Sequence, residues 1–231
     1  MRLNRFLGAA LLTIAASAIS QTAAAQLVLD DFSTGAYKKQ LASGSDINVQ
    51  SGSMIGGHRE TAFLVCPPGP CGLTNQFGQT GSIQIRPATK LAPSALIYSA
   101  GFEVFPRVDV VYGSAAPLNL ALAPTYDRIR VNFYASDLIV NFNIVAFTGG
   151  LYSQTGCNLS PSIGRVSIDF PLANFTPGSG TPGADFANIT SIDFIFQSGS
   201  AIGANDWAVT SFEAIPAGAP PAAITCQGLG K

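Results

Sequence analysis

The chain has 231 residues, of which only 11% are charged, and its formal net charge is −1. That balance is wrong for a nucleic-acid-binding protein, which needs a basic surface. A hydrophobic fraction of 47% is equally wrong for a chain held open by charge. Twenty-four glycines, 15 prolines and four cysteines suit instead an exported β protein with many turns.

The chain opens MRLNRFLGAALLTIAASAISQTAAAQ. Arg2 and Arg5 make a basic start, residues 6–19 an apolar run, and Ala23-Ala24-Ala25 a small-residue cleavage site. This reads as a bacterial-style secretory signal peptide over 1–25, removed before folding and directing the protein to the periplasm or exterior. No later apolar run reaches the ~18 residues of a membrane helix. The remaining chain, about 205 residues, fits one domain over 26–216, followed by an Ala/Pro/Gly-rich tail over 217–231.

From Gln26 onward the dominant signal is period-two alternation between turn residues, the mark of half-buried strands. QLVLDDF (26–32) is a first strand. SMIGGHRETAFLV (53–65) holds a Gly56-Gly57 turn, His58 as the sole histidine, and a strand behind it. CPPGPC predicts a Cys66–Cys71 bridge, since its prolines and glycine turn the chain back on itself; Cys157–Cys226 would then tie the tail to a loop. SIQIR (82–86), SALIYSAGFEVF (94–105), RVDVVYG (107–113), PLNLALA (117–123), DRIRVNFY (127–134) and LIVNFNIVAF (138–147) continue the pattern. RVSIDF (165–170), TSIDFIFQ (190–197) and WAVTSFEAI (207–215) complete it. The fold class expected is all-β, an antiparallel two-sheet β-sandwich of the jelly-roll kind.

One pair of segments invites a register. With Ser136-Asp137 in a two-residue turn, Ile129, Val131 and Phe133 meet Ile144, Phe142 and Val140, while Arg130 faces Asn143 and Asn132 faces Asn141. A hairpin so built carries Arg128, Arg130, Asn132, Tyr134, Asn141 and Asn143 on one planar polar face. Fork-shaped donors, amides and an aromatic ring are what a sugar surface needs, although any sheet also needs a solvated side.

Two further sets stand out. Asp30, Asp31, Asp206 and Glu213 lie at the first and last strands, and could converge on a structural calcium ion, which takes six to eight oxygens; alternatively Asp30 and Asp31 cap a turn. His58, Arg59, Glu60 and Tyr126 could form a general-base cleft, with Glu60, Glu103, Asp109 and Asp127 as the carboxyls open to a glycosidase. Alternatively, His58-Arg59-Glu60 merely begins a strand with exposed polar groups. A G-x-S-x-G elbow is not present, and the cysteine and histidine spacing does not suit zinc.

The segments LVLDDFSTG, MIGGHRET, DFANITSIDFIFQSG and NDWAVTSFEAIP, in that order, resemble secreted bacterial jelly-roll domains of the carbohydrate-binding-module type. The resemblance implies an opening DDF strand paired with an acid-containing closing strand. The expected function is a non-catalytic binding module for a polysaccharide or cell-surface glycan. A jelly-roll lyase or hydrolase using His58 and a structural envelope protein are the alternatives.

Overall fold

The computed structural model describes residues 24–66, 78–102, 104–198 and 204–226. The expected leader falls almost wholly outside them, as do Cys71 and Glu103. Fifteen strands are present among the described residues: β1 (Leu27–Asp30), β2 (Tyr37–Leu41), β3 (Gly44–Ser51), β4 (His58–Val65), β5 (Gly81–Arg86), β6 (Ala95–Ala100), β7 (Pro106–Tyr112), β8 (Tyr126–Ser136), β9 (Val140–Thr148), β10 (Leu151–Leu159), β11 (Val166–Pro171), β12 (Thr176–Pro177), β13 (Ser191–Ser198), β14 (Asn205–Pro216) and β15 (Ile224–Thr225). None of the described helices is long and apolar enough to cross a membrane.

The strands form two sheets. The first runs β15-β11-β8-β14-β6-β5-β2, with β1 also on β14; the second runs β12-β10-β9-β13-β7-β4-β3. All pairs are antiparallel except β11–β15. The all-β two-sheet sandwich expected from the alternation is therefore the structure found. The first strand lies beside the long closing strand β14, with Leu27 opposite Ala214 and Val28 opposite Glu213.

The strands stay in place because each buries one row of side chains. In β13 Ile192, Phe194 and Phe196 are buried, and in β14 Trp207, Val209 and Phe212 are. Across the sandwich Phe194 stacks on Phe212 at 3.8 Å, and Phe196 on Trp207 at 4.5 Å. Such aromatic contacts add about 0.5–1.5 kcal/mol each beyond the area they bury.

The 127–147 hairpin is not formed. β8 pairs with β11 and β14 in the first sheet, whereas β9 pairs with β10 and β13 in the second. The chain crosses between sheets at residues 137–139. The apolar rows do meet, but face to face through the core, with the Phe133 and Phe142 rings 6.1 Å apart. An apolar row matches an apolar row equally well beside it or across from it, so matching in character could not choose between the two. The consequence is large: the polar sides of β8 and β9 point away from each other.

Residues 219–226 of the tail are docked on the first sheet. Asp169, buried in β11, accepts from Arg130 Nε at 2.7 Å and Nη2 at 3.0 Å, and from the Ala222 N–H at 2.7 Å. Arg128 Nε lies 3.1 Å from the same carboxylate, and Arg128 also donates to the carbonyls of Ala219 and Pro220. Cys226 is buried beside Cys157, and the expected Cys157–Cys226 bond is not made in this structure. The Cys226 thiol points at the Gly156 carbonyl oxygen, 2.8 Å away, and its hydrogen bond with Cys157 holds the Cys157 thiol below its usual range. Arginine–carboxylate and backbone hydrogen bonds hold the tail in place of a covalent link.

Candidate functional site

The first sheet turns its outer face to a cleft of about 770 Å³ at one end of β6, β8 and β14. Tyr134 forms part of its wall and is 44% exposed, an unusual state for an aromatic in so apolar a sandwich. Arg165 lies over that ring, with its guanidinium carbon 5.7 Å from the centroid. The segment carrying Arg165 and the fully exposed Ile163 is pinned to the end of β8 by a two-way backbone bridge. Ser136 N donates to Ser162 O at 3.2 Å, and Ser162 N to Ser136 O at 2.8 Å.

Asp137 and Asp206 supply the acid side of the cleft. They are locked together: Asp206 N donates to Asp137 Oδ1 at 2.7 Å, and Asp137 N to Asp206 O at 3.0 Å. The floor is apolar, built from the side chains of Ile97 and Ala208, with Trp207 of the core beside them. Trp207 is held from beneath by Tyr98, stacked at 5.3 Å. Burial and the nearby Asp206 charge push the Tyr98 hydroxyl well above its ordinary pKa, so it stays protonated. Flat apolar surface beside fixed acceptors and one fork-shaped donor can take the C–H face of a pyranose while binding its hydroxyls.

Of the six residues expected to share a binding face, only Tyr134 lines this cleft. Arg128 and Arg130 are committed to Asp169 and the tail. Asn132 donates to Ser211 Oγ at 2.8 Å and accepts from Ser167 Oγ at 2.6 Å, part of a ladder along the sheet. Asn141 and Asn143 lie in the second sheet, opposite Gln197 and Ile195 of β13. The six-residue surface is thus divided between two opposed faces. Sequence reading picked Asp206 only as a metal ligand and passed over Asp137, Arg165 and Ile163. An isoleucine and an arginine beside a glycine in a loop, SIGR, were the available signal.

The calcium set is not brought together. Asp30 is buried and bound by Arg59 Nη1 at 2.5 Å and by the Tyr112 hydroxyl at 2.6 Å. Asp31 caps a turn by accepting from Ser33 N at 3.0 Å. Asp206 and Glu213 lie on one strand seven residues apart, about 23 Å at strand rise. Glu213 accepts from Ser211 Oγ at 2.8 Å. Among the described residues no group of three His, Cys, Asp or Glu side chains is placed to hold a metal ion, and these four residues do not fit calcium.

The His58 set is not gathered either. His58 is exposed at the start of β4, its Nδ1 3.4 Å from Gly56 O after a turn in which Gly56 and Gly57 have φ of 69° and 73°. Arg59 points the other way and is wholly buried; besides Asp30 it donates to Gln50 Oε1 at 2.9 Å and to the carbonyls of Thr34 and Gly35. Tyr126 belongs to the other sheet.

The outer face of the second sheet does gather carboxyls. Asp193 of β13 is flanked by Val111 of β7 and Val145 of β9, with Asp109 and Glu60 close enough to repel its charge. Burial is the main cause, Asp109 the next, of a pKa raised to about 7; Arg107, bonded to Asp109 at 2.7 Å, opposes it. A raised folded-state pKa means stability that is complete below about pH 4 and is lost as pH rises through 7. Asp193→Asn is therefore expected to stabilise the protein at pH 8 by on the order of 2–4 kcal/mol and to leave it unchanged at pH 4. Thermal melts of both forms across that range check this.

No family model and no curated protein matches the chain. Among solved structures, the chain is similar to the family 11 carbohydrate-binding module from Clostridium thermocellum in complex with a β-1,3-1,4-mixed-linked tetrasaccharide. Identity is 14% and the TM-score 0.42, over 83% of this chain and 96% of that one. It is similar to the family 11 module of the cellulosomal cellulase Lic26A-Cel5E of the same organism at 15% identity and TM-score 0.42, over 85% and 97%. An exo-β-agarase matches at 11% and 0.44, over 85% of this chain and 25% of the enzyme.

Proposed function

We propose that this chain is an exported, non-catalytic module that binds a polysaccharide or cell-surface glycan in the Tyr134 cleft. The observation that carries the reading is an exposed aromatic ring, capped by Arg165, facing two mutually locked aspartates over an apolar floor. Ring and floor take the apolar side of a sugar, and Asp137, Asp206 and Arg165 take its hydroxyl edge. Solved carbohydrate-binding modules stand among the similar structures, but the proposal rests on the cleft itself. The His58 alternative has no gathered site to support it.

Affinity electrophoresis of the intact protein through gels containing soluble polysaccharides is the test. At least one polysaccharide is expected to retard the protein. Tyr134→Ala should weaken that retardation about tenfold, a loss of ~1.4 kcal/mol, without lowering the melting temperature, because the ring is exposed. Binding that survives both Tyr134→Ala and Asp206→Ala would place the ligand elsewhere.

A further inference from the structure

The cleft does not end at β6. Strand register extends it across the same outer face: Ala135 of β8 lies opposite Ala208 of β14, Ala208 opposite Ile97 of β6, Ile97 opposite Gln84 of β5, and Gln84 opposite Lys38 of β2. The first three side chains of this row are short or apolar, so they leave a shallow track. Four strand spacings carry it about 19 Å from β8 to β2. One spacing is close to the length of a pyranose unit, so a glycan lying across the strands would place about one sugar on each.

At the far end is a second hollow of about 270 Å³, lined by Lys38, Gln84 and Arg86 together with Tyr37 and Pro87. Arg86 follows Gln84 by two residues on β5, so both face outward. Its Nε is buried and has no hydrogen-bond partner among the described residues. Five other cations are paired with carboxylates: Lys39 with Asp46, Arg59 with Asp30, Arg107 with Asp109, and Arg128 and Arg130 with Asp169. Lys38 and Arg86 stand beside each other without a carboxylate. A desolvated guanidinium N–H lacking an acceptor is costly. An anion seated there would supply the acceptor and be held by two positive charges.

We propose that the Lys38–Arg86 hollow is an anion subsite of the glycan track. The ligand is then an acidic polysaccharide, with a carboxylate or sulfate about four sugars from the unit stacked on Tyr134. The charge pattern sets its direction: the cleft end holds two carboxylates, Asp137 and Asp206, against one cation, Arg165, while Lys38 and Arg86 make the far hollow positive. This rests on the cleft reading.

The experiment compares matched polysaccharides in affinity gels. Glucuronoxylan and pectin are run beside the same polymers after their carboxyls are reduced to alcohols; carboxymethyl and sulfated cellulose are run beside hydroxyethyl cellulose. Wild type is expected to bind at least one acidic form about tenfold more tightly than its neutral partner, with the preference shrinking in high salt. Which pair shows it distinguishes carboxylate from sulfate. Lys38→Gln/Arg86→Gln should abolish the preference while leaving neutral binding and Tyr134 dependence intact. If the double variant melts early, Lys38→Gln alone, at an exposed position, should reduce the preference about threefold. Equal binding of acidic and neutral forms, or a preference that survives these substitutions, overturns the subsite and leaves the cleft standing. Failure of every polysaccharide to bind overturns both.

Discussion

Asp30→Ala is expected to destabilise the fold by about 3–5 kcal/mol, the usual cost of breaking a buried ion pair from one side. The carboxylate it removes is the hub of a buried network. Arg59 Nη1 and the Tyr112 hydroxyl share one oxygen, and the Phe32 N–H donates to the other at 2.7 Å. Arg59, wholly inaccessible, would be left with a charge facing only neutral oxygens, and Phe32, at φ 56°, would lose the bond that holds its left-handed backbone. Gly35 shows how closely the site is packed. It has φ 69°, and a Cβ there would sit 2.8 Å from Gln50 Cβ and 2.9 Å from Arg59 Nη2. In a domain of this size the loss corresponds to a fall in melting temperature of roughly 10 °C. Replacing both partners, Asp30→Leu with Arg59→Met, should cost less than either single change, since no uncompensated charge stays inside. Chemical denaturation of the three variants decides the matter; equal or additive losses would show that the pair acts through packing alone.

Asp169→Ala is expected to release the C-terminal segment. One buried carboxylate receives Arg130, lies against Arg128 and accepts the Ala222 N–H, while its own backbone carbonyl accepts from Cys226 N at 2.8 Å. Removing it leaves Arg130 without its paired carboxylate and Arg128 with Asp127 alone, at 2.7 Å, a loss of about 3 kcal/mol by the one-sided rule. Undocking of residues 219–226 should accompany it, seen as proteolytic cleavage that wild type resists and as faster alkylation of Cys226, which is buried when docked. Arg130→Ala should do the same more weakly. That outcome also separates a tail-anchoring role from a ligand-binding one: glycan affinity should not change, because neither arginine lines the cleft.

Much of this was readable from alternation. The strands at 61–65, 82–86, 107–112, 127–134 and 191–197 lie where the period-two pattern puts them, because side-chain direction along a strand depends only on the strand itself. The inward position of Arg59 had a signal too, since it is in phase with Phe63 and Val65 of β4. Asp30 gave none, because an irregularity between Val28 and Asp30 breaks the phase of β1.

By itself, then, the sequence determined the class of fold and which side chains of each strand are polar, while the pairing of β1 with β14 was implied by the resemblance. It could not determine which polar rows look the same way. That depends on whether the chain turns back within a sheet after β8 or crosses to the other, and both choices bury the same apolar residues. The tertiary structure decided it by sending β9 across the sandwich. That crossing separates Asn141 and Asn143 from Tyr134, and β11 and the tail take up Arg128 and Arg130. The sheet order then places Tyr134, Asp206 and Ile97, remote in sequence, around one cleft, because neighbourhood between strands is fixed by hydrogen-bonded partners and not by distance along the chain.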